Sequence, residues 1–206
     1  MLNTFLLSMR GTPYTYYGDE IGMTNIDMPN IEDYVDVEAK GKYKAALAKG
    51  EDIDAFMKVL NYSSRENGRT PMQWNNSTNA GFGSGAPWKR VNENYTQINV
   101  SEQEVDPNSI LNHFRKMAQV RKENAVLVYG DYTLLQAEHP DIYAFTRTLG
   151  DEKLLVLLNF SEEKTAITLS EIDHFGALPI NNYNSLEREA NKVSLLPYQA
   201  VLLKLQ

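Results

Sequence analysis

Beyond Asn124 the chain breaks into short β-type runs, and that rhythm constrains its fold more than any other feature. YGDYTLLQA (129–137), IYAFTRTLG (142–150), KLLVLLNFS (153–161), KTAITLS (164–170), KVSLL (192–196) and QAVLLKL (199–205) are separated by turn-forming residues. Runs of this length at this spacing predict a small antiparallel β-sandwich. Residues 125–206 are enough chain for a marginal independent core, with Leu154, Leu155, Val156, Leu157 and Leu158 as its central strand.

The first half has a different texture. Met1, Leu2, Phe5, Leu6 and Met9 share one helical face over residues 1–10. No capping side chain precedes that stripe, so the chain reads as starting inside a helix, as a piece of a longer protein would. Gly11-Thr12-Pro13 ends the helix, and Tyr14 to Tyr17 reads as a short strand with Gly18, Asp19 and Glu20 at its C-terminal end. Helical stretches follow at 39–49 and 55–60, divided by Gly50. Residues 61–104 hold no sustained period and are rich in Asn, Ser, Gly and Pro, the mark of a long irregular excursion. Asp106-Pro107 predicts the start of a helix over 107–124, with Leu111, Phe114 and Met117 on its inner face. A helix–strand–helix piece cannot close a barrel by itself. The order predicts an α+β chain: the last unit of a (β/α)8 barrel over 1–124, then the β-sandwich over 125–206.

Composition removes several classes of function. With 27 acidic against 20 basic residues the formal charge is −7, which disfavours nucleic acid and anionic membranes as partners. Cysteine is absent, so disulfides and thiolate metal sites are excluded. No apolar run reaches membrane-spanning length and no signal peptide opens the chain, which predicts a cytoplasmic protein. His113, His139 and His174 are isolated and show no metal-ligand spacing, and His113 reads as a helix-surface residue. Gly81, Gly83 and Gly85 lack the strand–helix context of a nucleotide loop.

Three segments carry a resemblance: GTPYTYYGDEIGMTN (11–25), SRENGRTPMQW (64–74) and AGFGSGAPW (80–88). They resemble the C-terminal part of α-glucosidases of glycoside hydrolase family 13, the α-amylase family, in its oligo-1,6-glucosidase and trehalose-6-phosphate hydrolase branch. The resemblance implies an exo-acting retaining α-glucosidase that removes terminal α-linked glucose from short oligosaccharides. It also implies that the catalytic carboxylates lie upstream, so that no catalytic residue is present here and the chain alone is inactive. The calcium ion that often accompanies the family would take its ligands upstream too, leaving no metal or cofactor site in this chain.

By the same resemblance Arg69 reaches the glucose pocket, and Glu38 lies near the subsite of the departing sugar. Arginine offers a rigid fork of five donors that suits paired hydroxyls, which favours the sugar-binding role over the alternative that Arg69 pins its loop to an acidic neighbour; one side chain can do both. Asp19 and Glu20 are neighbours that point to opposite sides of a strand, so they read as loop-ordering rather than as a catalytic pair. Arg65 reads as structural, through backbone carbonyls of its turn, and Trp74 and Trp88 as loop-packing aromatics. Three positions depart from the family pattern: Tyr17 for glutamine, Val35 for arginine and Gly68 for alanine or serine. A rival reading is a non-catalytic carbohydrate-binding or structural β-sandwich module, with Tyr129, Tyr132 and Tyr143 as an aromatic platform. A barrel piece without its neighbours should also self-associate, or leave its first ~30 residues loosely packed.

Overall fold

The computed structural model describes residues 1–170, 176–177 and 179–205, so His174 lies outside the described residues. The chain divides into two compact units, Met1–Tyr16 with Pro107–Gln206, and Tyr17–Asp106. Helix α1 (Leu2–Ser8) opens the first; α2 (Val37–Lys49), α3 (Ile53–Ser63) and α4 (Val100–Val105) belong to the second.

In the Tyr17–Asp106 unit, side-chain caps set where helices begin. Asp36 caps α2 by accepting from the Glu38 amide at 2.8 Å, and Asp52 caps α3 through the Ala55 amide at 3.0 Å. Gly50 ends α2 in the left-handed conformation at φ +69°, where a side chain would be strained. Ile26, Met28, Tyr34, Ala39 and Leu60 form this unit's small core. The irregular excursion is held in short 3-10 turns at Arg65–Arg69, Thr78–Gly81 and Glu93–Thr96. It closes in α4, which the sequence reading missed.

In the other unit, α5 (Ile110–Glu123) begins three residues later than predicted. Its cap is Ser109, whose Oγ accepts from the Asn112 amide at 3.2 Å, while Asp106 terminates α4. A short α6 (Ala125–Tyr129) follows. Then come β1 (Asp131–Leu135), β2 (Ile142–Leu149), β3 (Glu152–Asn159), β4 (Thr165–Thr168), β5 (Ile180–Asn181), β6 (Glu187–Glu189), β7 (Lys192–Leu195) and β8 (Ala200–Lys204). They form two antiparallel sheets, ordered β1-β2-β3-β8-β5 and β4-β7-β6. All six predicted runs are strands. The two unforeseen ones, β5 and β6, are too short to show a period, and β6 is wholly exposed and charged, as suits a sheet edge.

The register pairs Leu157 with Ala144 and Val201, and Val156 with Phe145 and Leu202. Because side chains alternate, Leu155, Leu157, Val201 and Leu203 enter the core between the sheets with Ile167, Val193 and Leu195. Leu154, Val156, Leu158 and Leu202 face the other way, into a second core with Leu7 of α1, Met117 of α5 and Leu127 of α6. Both faces of the central strands are therefore covered. That is why the 154–158 run is apolar without alternation.

At the N-terminus the structure departs from the sequence reading in two places. The segment predicted as a strand, Tyr14 to Tyr17, joins neither sheet among the described residues, and a strand exists only as one side of a ladder; Tyr14 is 86% exposed. The first helix is also not loose. Leu7 is buried in the second core, with Met1, Phe5 and Met9 packed at its margin, although Leu2 is exposed.

His113 is a further correction, because it does not lie on a solvated helix surface. Its Nε2 lies 2.8 Å from Thr4 Oγ1, and burial, aided by the Met1 ammonium and Lys116, lowers its pKa to about 4. A histidine kept neutral by the fold stabilises it fully above the ordinary value near 6.5 and loses that contribution as pH falls toward 4. His113→Gln should thus remove on the order of 1–3 kcal/mol of the stability lost between pH 7 and 4.5. Urea unfolding of both proteins at the two pH values checks this, and equal losses would contradict it.

Candidate functional site

The site expected from sequence is built where the start of α2 meets the 3-10 turn Arg65–Arg69, within the Tyr17–Asp106 unit. Asp36 has to be where it is because it caps α2, and its almost wholly buried carboxylate then faces two arginines. Arg65 grips it with a fork, Nε to Oδ2 and Nη2 to Oδ1 at 2.9 Å. Arg69 Nη1 reaches the same Oδ2 at 3.3 Å. The Arg65 bond, above all, holds the Asp36 carboxyl well below the usual carboxylate range. Arg65 Nη2 also lies 3.3 Å from Glu38 Oε2, and Lys42, one helical turn along α2, pairs with Glu38 Oε1 at 2.7 Å. Lys42 first, then Arg65, lowers the Glu38 pKa. Asp36, Glu38, Lys42, Leu60, Ser63 and Arg65 line a recess of about 170 Å³.

Beneath this cluster lies a buried ion pair that the sequence reading passed over. Glu66 is fully buried, and its Oε1 accepts from the amides of Val35 at 3.1 Å and Asp36 at 2.5 Å. Its Oε2 pairs with Lys89, which is also buried and lies 5.5 Å from the centre of the exposed Trp88 ring. Glu66 therefore fixes the backbone that carries Asp36. The only sequence signal was an acidic residue two positions after a capping serine, since Ser64 Oγ accepts from the Glu66 amide at 3.2 Å.

The other candidates lie on neighbouring turns of the same unit. Asp19 and Glu20 lie in a single 3-10 turn between Gly18 and Gly22, both left-handed. Glu20 Oε2 accepts from the Gly18 amide at 2.8 Å, so it orders its own turn. At Gly18, φ is +94°, a conformation that strains any side chain, and an added Cβ would also crowd Met23, 2.7 Å from its Sδ. Tyr17 donates to the carbonyls of Gly68 at 3.1 Å and Thr70 at 3.0 Å, one on each side of Arg69. Trp74 is held through its backbone, its amide donating to Ala80 and its carbonyl accepting from the Ser101 amide, while its indole is half exposed.

Arg69 differs from Arg65 in one respect that matters for binding. Both side chains reach solvent, Arg65 58% and Arg69 42% exposed, but Arg69 bonds a single carboxylate oxygen, so most of its fork has no protein partner among the described residues. Arg65 does not bond turn carbonyls as expected; its donors are taken by Asp36 and Glu38, because those carboxylates stand across from it. Among the described residues no group of three or more His, Asp or Glu could hold a metal ion, and no helix is long and apolar enough to cross a membrane.

Residues 1–130 match the α-amylase catalytic domain model, and residues 142–202 match that of the α-amylase SusG C-terminal domain. The chain belongs to the α-amylase family. Among its relatives in that family it is 46% identical, over its whole length, to an oligo-1,6-glucosidase of Parageobacillus thermoglucosidasius, of which it covers 37%. It is 37% identical to the trehalose-6-phosphate hydrolase of Escherichia coli K12, aligning 98% of this chain with 36% of that one. Solved α-amylase-family structures superpose on it closely. Bacillus licheniformis trehalose-6-phosphate hydrolase gives a TM-score of 0.93 at 37% identity, with 99% of this chain and 38% of that one covered. Isomaltulose synthase from Klebsiella sp. LX3 gives 0.94 at 38% identity, with 100% and 37% covered. The chain thus spans little more than a third of the length of the relatives it matches.

Proposed function

We propose that this chain is the C-terminal portion of a cytoplasmic, exo-acting, retaining α-glucosidase that removes terminal glucose from short α-linked oligosaccharides. On this reading residues 1–124 continue the barrel and 125–206 form its C-terminal domain. Retaining hydrolysis needs two carboxyl groups about 5–5.5 Å apart, a nucleophile and an acid/base. Those come from the portion of the enzyme that this chain does not span, as do the ligands of any calcium ion. By itself the chain does not hydrolyse glucosides, and it associates with other copies of itself, as a barrel piece without its neighbours would.

The observation that carries this reading is the state of Arg69. Asp36 fixes one end of its guanidinium and the rest of the fork is open, the condition for donating to a pair of sugar hydroxyls. Glu38, whose carboxylate Lys42 and Arg65 hold in the same cluster, takes the place that the resemblance implies near the subsite of the departing sugar. Arg65, Trp74, Asp19 and Glu20 shape the loops around them.

The test joins this chain to the upstream two thirds of the Parageobacillus oligo-1,6-glucosidase and measures isomaltose hydrolysis. The joined enzyme should turn over while the chain alone is inert. Arg69→Ala should lower kcat/KM about 10²-fold, as expected when a positioned charged donor is lost, and Arg65→Lys much less. Turnover by the purified chain alone would place the catalytic pair here and overturn the reading. Wild-type kinetics for Arg69→Ala would reduce Arg69 to a loop anchor.

A further inference from the structure

Two buried guanidinium groups meet at the C-terminal end of α1. Arg121 of α5 donates through Nη1 to the carbonyls of Leu7 at 2.8 Å, Met9 at 3.0 Å and Leu127 at 2.9 Å, and through Nη2 to Gly11 at 2.5 Å. Arg147 of β2 donates through Nη1 to Ser8 at 2.6 Å and Leu127 at 2.9 Å, and through Nη2 to Gly130 at 2.8 Å. Arg147 is 0% exposed and Arg121 8%.

Neither has a carboxylate within ion-pairing distance among the described residues. Asp131, whose charge acts on Arg147, is exposed and already paired with Arg10 at 3.0 Å. Burying a cation without a counter-ion is strongly unfavourable unless other groups supply negative potential. Here the supply is backbone. The last carbonyls of a helix have no partner inside it and point their negative ends outward, and α1 turns those of Leu7 and Ser8 on the two arginines. Gly130 adds one more, at a place where a Cβ would stand 2.4 Å from the Val126 carbonyl oxygen.

The ends of this arrangement belong to different parts of the family architecture. α1 and Arg121 lie in the catalytic-domain match, residues 1–130, and Arg147 lies in the C-terminal-domain match, residues 142–202. We propose that Arg147 and Arg121 together are a positioning clamp: through Arg147 the C-terminal domain holds the Ser8 carbonyl at the end of α1, while Arg121 beside it holds Leu7, Met9 and the departure of the chain at Gly11. That gives the C-terminal domain a task other than binding sugar, and it stands whether or not Arg69 contacts substrate.

A lysine keeps the charge but not the fork, so it separates clamp from charge. Amide hydrogen exchange would be followed in the full chain for wild type, Arg147→Lys, Arg121→Lys and, as an exposed control, Arg10→Lys. The clamp requires amides of α1 and Gly11 to exchange roughly ten- to hundredfold faster in the first two variants, with β3 and β8 nearly unchanged and the control like wild type. Wild-type protection of α1 in both variants would overturn it, because charge alone would then suffice. So would an equal loss of protection in α1, β3 and β8, which would make the arginines contributors to overall stability with no local hold on α1.

Discussion

A chain shortened to residues 125–206 is expected to show no cooperative unfolding transition, although its length would suggest an independent domain. The reason is the second face of the large sheet. Phe145, Leu154, Val156, Leu158 and Leu202 are buried there against Leu7, Phe5, Phe114, Met117 and Ala118, all of which the truncation removes. Uncovering some half a dozen apolar side chains, at roughly 1.5–3 kcal/mol for each fully buried one, costs about 10 kcal/mol. That is comparable to the whole stability of an ordinary domain, about 5–15 kcal/mol. Arg147 also loses its bond to Ser8. Joining residues 1–16 to 107–206 by a flexible linker, with 17–106 deleted, keeps both faces covered and should retain a sharp transition. Thermal melts by circular dichroism distinguish the two, and a cooperative melt of 125–206 would show that the helices are dispensable.

Lys89→Met should destabilise the Tyr17–Asp106 unit by about 3–5 kcal/mol, the usual consequence of leaving one member of a buried pair uncompensated. Glu66 would keep the amides of Val35 and Asp36 but lose its counter-charge in a site closed to water. Glu66→Gln combined with Lys89→Met removes both charges and should recover most of the loss, whereas Glu66→Ala strands Lys89 and frees the backbone under Asp36. Trp74 and Trp88 are the only tryptophans and both lie in this unit, so their fluorescence in urea reports on it directly. A single Lys89→Met variant within 1 kcal/mol of wild type would mean that the pair is solvated in solution and does not anchor the loop.

The same pair shows why the candidate site was only partly legible in the sequence. Arg69, Arg65 and Glu38 stood out because their motif is a resemblance carried by residue type. Glu66 and Lys89 stand 23 positions apart and belong to no local period, so nothing along the chain announces that one neutralises the other. Arg65 was misread for a related reason: its neighbours in sequence offer carbonyls, but its neighbours in space, Asp36 and Glu38, offer carboxylates.

What the sequence determined by itself is whatever depends on residues close together along the chain. Short β-type runs and turn chemistry placed the six longer strands, and Gly50 divided α2 from α3, because a glycine's left-handed freedom and the β-type composition of a run are local properties. The motif segments carried the family, since side-chain identity survives without coordinates. Tertiary structure decided the rest. Tyr14 to Tyr17 has every local mark of a strand and forms none, because a ladder needs a partner that no local signal supplies. His113 looked like a surface residue and is held neutral against Thr4, 109 positions away. The central apolar run of β3 looked the same whether one face or both were covered, and only the packing of α1 and α5 on its far side settled it. Burial and charge compensation are sums over neighbours in space, and a sequence orders neighbours along one dimension only.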